Sequence, residues 1–148
     1  MSHRIYLHSI AGQRHDNSDY DISFQNIRVP VNSPEDDLDD DWFVRVEAFQ
    51  LEALRLAPLL VFADLVNLDG HSTLGHNVPL LMAPNNSFSA AINRGDVGQR
   101  LPCAPARHFQ SGSLRLRVTD IEGDLLQRTE GQTVPDQWAV VLVLYRRG

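Results

Sequence analysis

Leu114-Arg115-Leu116-Arg117-Val118-Thr119-Asp120-Ile121-Glu122-Gly123-Asp124 is the stretch that decides the fold class. Leu114, Leu116 and Val118 alternate with Arg115, Arg117 and Thr119, the period of two that gives a strand one buried and one wet face. Asp120 to Asp124 is built of turn formers, so Leu125-Leu126-Gln127 reads as the return arm of a hairpin. Beyond it, Trp138-Ala139-Val140-Val141-Leu142-Val143-Leu144-Tyr145 is apolar throughout, as expected of a central strand.

The same signals recur toward the N-terminus. Arg4-Ile5-Tyr6-Leu7-His8 and Tyr20-Asp21-Ile22-Ser23-Phe24 alternate and carry the β-branched and aromatic residues that suit half-buried strands, with the polar stretch 11–19 as a loop between them. In Trp42-Phe43-Val44-Arg45-Val46-Glu47-Ala48-Phe49-Gln50-Leu51, strict alternation places Trp42, Val44, Val46 and Ala48 on one face and Phe43, Arg45, Glu47 and Phe49 on the other. Leu59-Leu60-Val61-Phe62-Ala63-Asp64-Leu65-Val66 is the mark of a strand covered on both sides, although a helix fits the same run. Val78-Pro79-Leu80-Leu81-Met82-Ala83-Pro84 suits a short edge strand, and 88–92 and 98–101 are weaker candidates in an irregular stretch. Together these predict one all-β domain over 1–148, an antiparallel, jelly-roll-like β-sandwich of eight or nine strands. Ile22, Phe24, Val44, Val46, Leu116, Val118, Val141 and Val143 are expected in its core.

Composition agrees. At 148 residues, 43% hydrophobic and 22% charged, the chain falls in the ordinary globular range for one domain. No run of eighteen apolar residues suggests a membrane helix, and the absence of a signal-peptide core after Met1 leads to the expectation of a cytosolic product. A single cysteine, Cys103, excludes an internal disulfide. All 13 basic residues are arginine, a bias that reads as genomic, and the net charge of −6 disfavours a nucleic-acid partner.

No motif for nucleophilic catalysis or phosphate binding occurs: Gly-x-Ser-x-Gly, Gly-x-x-x-x-Gly-Lys and Gly-x-Gly-x-x-Gly are all missing. His71 and His76 share a loop with Asp69, but their spacing diagnoses no metal, and a loop histidine beside Asp and Ser is ordinarily solvated. The acidic run 35–41 lacks the glycine of the calcium loops it would have to resemble and reads as solvated surface. No cofactor or metal is expected. Arg115 and Arg117 share one sheet face and, with Asp37, Asp39 and Asp40, are the candidate contacts to a partner, because arginine pairs well with carboxylates across interfaces.

The order of these features resembles that of small jelly-roll structural proteins of eukaryotic DNA viruses, of the penton or minor-capsid kind found in virophages, polinton-like elements and large algal viruses. The residues that carry the resemblance are Asn17-Ser18-Asp19-Tyr20-Asp21-Ile22-Ser23-Phe24, the strand from Trp42, Val61-Phe62-Ala63-Asp64-Leu65-Val66, Val78-Pro79-Leu80-Leu81-Met82, the stretch from Leu114 to Gly123 and the last apolar strand. The acidic run 35–41 and the stretch 85–108 depart from that pattern. The resemblance implies a non-enzymatic component of a virion, assembled in the host cell and otherwise cytoplasmic, whose partners are other capsid proteins or further copies of itself. The alternative is a carbohydrate-binding-like sandwich, which would stack ligand on exposed aromatic rings. Trp42 and Trp138, placed inside strands, are expected in the core instead.

Overall fold

A computed structural model of the chain describes residues 2–27, 42–52, 58–64, 79–83, 91–93, 101–103 and 112–146. These residues form strands β1 (Ser2–His8), β2 (Gln13–Arg14), β3 (Asp21–Phe24), β4 (Trp42–Leu51), β5 (Leu59–Ala63), β6 (Leu81–Ala83), β7 (Ala91–Asn93), β8 (Leu101–Pro102), β9 (Leu114–Asp120) and β10 (Trp138–Arg146), with one 3₁₀ turn at Ser9–Ala11. Apart from the two-residue β2 and β8, eight strands remain, in line with the expected number. All pairings are antiparallel, in two sheets of order β1-β10-β4-β7, with β8 also on β4, and β2-β3-β9-β5-β6.

Numbered one to eight without β2 and β8, the strands pair first with last, second with seventh, third with sixth and fourth with fifth. That is one long hairpin. Two further pairings, β10 with β4 and β9 with β5, roll it onto itself and make the two sheets of a jelly roll. Rolling brings the apolar faces together. Ile22, Phe24, Val44, Val46, Leu116 and Val118, six of the eight expected core residues, lie in the buried cluster. The Trp138 ring bridges the layers, edge-on to Phe24 of the opposite sheet at 6.3 Å and tilted against Phe49 at 6.5 Å. Gly12 lies so close to this core that a Cβ there would collide with Ile22 Cγ2 and touch the Phe24 ring at 3.0 Å.

Three sequence expectations are corrected. In β10 the core cluster takes Trp138, Val140, Leu142 and Leu144, whereas Val141 is half-exposed and Val143, though buried, lies outside that cluster. Val143 is opposed in register by Arg4 of β1 on one side and Arg45 of β4 on the other. In β4 strict alternation fails. Val141 opposes Ala48 while Leu142 opposes Val46, so Glu47 is an extra, bulged residue and the inward phase passes from Trp42, Val44 and Val46 to Phe49 and Leu51. Finally, Leu125-Leu126-Gln127 is not a return strand. Both edges of β9 are taken by β3 and β5, which leaves only a bridge from Thr119 to Leu125 and a bond from the Leu126 amide to the Val118 carbonyl.

β5 behaves as its continuous apolar run predicts: all five residues are buried, with Leu59, Val61 and Ala63 in the core cluster and Leu60 and Phe62 buried outside it. Among the described residues no helix is long and apolar enough to cross a membrane.

Candidate functional site

Among the described residues the most heavily bonded polar group joins the turn before β3 to the segment before β10. Asp16 and Asn17 take positive φ (52° and 59°), the left-handed conformation that Asp and Asn tolerate best, and this tight turn drives Asp19 under the end of the sandwich. There its carboxylate is almost wholly buried and accepts from Arg128 Nε (2.8 Å) and Nη2 (3.0 Å), Arg14 Nη1 (3.2 Å) and the Asp136 amide (3.1 Å). Its carbonyl accepts from Trp138 Nε1 at 2.7 Å. Asp136, also buried, answers in kind: its Oδ2 accepts from the Tyr20 hydroxyl (2.6 Å) and from the amide (3.0 Å) and hydroxyl (3.1 Å) of Thr129. Burial alone would raise the Asp19 pKa. The hydrogen bonds from Arg128, the Asp136 amide and Arg14, with the Arg128 charge, outweigh it and hold the carboxyl below the usual carboxylate range.

Chemically this cluster is a lock. Among the described residues the Asp19 and Asp136 carboxylates accept from donors of the same chain, and the adjoining cleft, lined by Ser9, Gly12, Arg14, Asp19 and Asp136 among others, has a volume of about 80 Å³, room for a few waters. Sequence reading placed Asp19 in a loop and missed the lock, because its partners lie 109 and 117 residues away.

Of the candidate partner contacts, Arg115 and Arg117 lie among the described residues. Arg115 stands on the outer face of β9, where it donates to Asp21 of β3 through Nε (2.8 Å) and Nη2 (2.7 Å), and its amide donates to Asp64 Oδ1. The bond to Asp21 raises its pKa. Arg117 opposes Asp21 in register and is half-buried. So the sheet itself supplies an acidic neighbour to the pair. Asp37, Asp39 and Asp40, with the whole run 35–41 and with His71 and His76, lie outside the described residues, as does most of 85–108.

At the turn after β9 the carboxylates of Asp120, Glu122 and Asp124 come within 4.8 Å of one another. The turn itself uses Asp120 Oδ1, which accepts from the amides of Glu122 (2.9 Å) and Asp124 (3.0 Å). Beside β1 runs an open groove of about 400 Å³ lined by His3 to His8, Phe24 and Ile27. Trp42 and Trp138 are each 1% exposed, so neither indole is a surface stacking platform. No protein-family model matches the chain, and no curated protein matches its sequence.

Proposed function

We propose that this chain is a non-enzymatic structural subunit of a larger protein assembly, of which a viral capsid is the form that the resemblance of its strand pattern favours. The observation that carries the proposal is the rolled-hairpin jelly roll, a fold that recurs in capsid, lectin and cupin domains and leaves its loops and sheet edges available for contacts. The two best-formed polar constellations, around Asp19 and between Arg115 and Asp21, spend their hydrogen bonds inside the chain. A carbohydrate-binding module is the second reading. It is disfavoured by the burial of both tryptophans, since sugar recognition on a sandwich uses exposed rings.

A salt series on the complex isolated from the native source tests the proposal. Contacts made by exposed charges are screened within about 8 Å at physiological ionic strength and within about 3 Å at 1 M. Raising salt to 1 M should therefore shift the chain from a fast-sedimenting fraction toward smaller species. A chain that sediments as a lone monomer in low salt and is retained on immobilised glycans overturns the proposal in favour of the second reading.

A further inference from the structure

The two sheets have unequal edges. Among the described residues, β2, β6, β7 and β8 are two or three residues long, which is how natural sandwiches blunt an edge. β1 is different: it is a seven-residue strand at the end of its sheet, in unbroken register with β10 from Ser2 to His8. It has no proline, no bulge and no charged side chain turned inward, and its outer side borders the open groove. Ile5 and Leu7 are 7% and 8% exposed, whereas Val44, Val46, Leu142 and Leu144 on the inner strands are fully covered. Tyr6, at 73%, is the most exposed large hydrophobic residue described.

We propose that β1 is a self-pairing edge, at which a second copy of this chain adds its own β1 in antiparallel register about a twofold axis. This rests on the assembly reading above and names one partner within it. Antiparallel pairing is self-complementary for the backbone, because each outward amide of one strand meets an outward carbonyl of the other. All seven residues are opposed in one register, that centred on Ile5. In that register the two Ile5 side chains meet on the inner face, and on the outer face Arg4 of each copy lies opposite Tyr6 of the other. A guanidinium beside a phenol ring is a favourable cross-strand pair, and Arg4 already has its charge balanced by Glu47 at 2.9 Å. No like charges are opposed, and the groove beside Ile5 and Leu7 closes.

Sedimentation equilibrium of the full chain tests this, with Tyr6→Lys and Tyr6→Glu as charge-opposed variants at a site exposed enough to leave the fold intact. The wild type should dimerise. Tyr6→Lys, set against Arg4 of the partner copy, should weaken the dimer at least tenfold, and Tyr6→Glu should leave it as tight or tighter. A 1:1 mixture of Arg4→Cys and Tyr6→Cys should form a disulfide-linked heterodimer on mild oxidation, far faster than either variant alone. A wild type that stays monomeric at millimolar concentration, or a dimer indifferent to both Tyr6 charges, overturns the self-pairing edge. Neither result touches the assembly reading, which is decided on the complex from the native source.

Discussion

Asp19 shows how one carboxylate can tie distant parts of the chain together. It receives four side-chain and main-chain donors while its carbonyl holds the Trp138 indole, so Asp19→Ala strands Arg128, Arg14 and the Asp136 amide at once. Arg128 and Arg14 keep about a third of their side-chain surface and can rehydrate, whereas the Asp136 amide is buried. The expected cost is about 2–4 kcal/mol of unfolding free energy, measured by urea denaturation. The sign of the pH effect follows from the depressed pKa. The folded state binds the Asp19 proton less readily than the unfolded chain does, so the carboxylate's contribution is fully present above the ordinary Asp value of about 3.9 and is lost as pH falls through the lower folded value. Wild-type stability should therefore fall below about pH 4 more steeply than that of Asp19→Ala, as read from denaturation midpoints across that range.

Along the elements, the bulge at Glu47 decides which residues carry the core. Because it moves Phe49 inward and β10 keeps its even-numbered residues inside, Phe49→Ala should cost about 3–5 kcal/mol, but Val141→Ala on the half-exposed face about 1 kcal/mol or less. Equal losses would contradict the phase change. Strand positions were legible in the sequence because alternation and turn residues are local: β1, β3, β4, β5, β9 and β10 all fall where the pattern puts them. The phase of β4 past Glu47 was not, since an extra residue is defined only against its partner strand. Nor was the inward face of β10, where Val140 and Val141 are equally apolar and only the opposed strands distinguish them. The supposed return arm at 125–127 failed for the same reason: β3, from the N-terminal part of the chain, already holds the edge of β9 it needed.

At the scale of the whole molecule, the rolled hairpin joins the first strand to the last, and the Asp19 lock sits beside that seam. Arg115 and Arg117 were legible as neighbours on one face, but Asp21, which receives Arg115, comes from a strand 94 residues away. We propose that a jelly roll whose best-formed polar clusters bond within the chain works through contacts with other chains. It is tested most directly by the native mass of the complex containing this chain, taken from its natural source at low salt together with the stoichiometry of its components. The expected result is a particle many times heavier than one 16.6 kDa chain, with this chain present at a fixed ratio to its neighbours. A free 16.6 kDa monomer with no stoichiometric partner would contradict it.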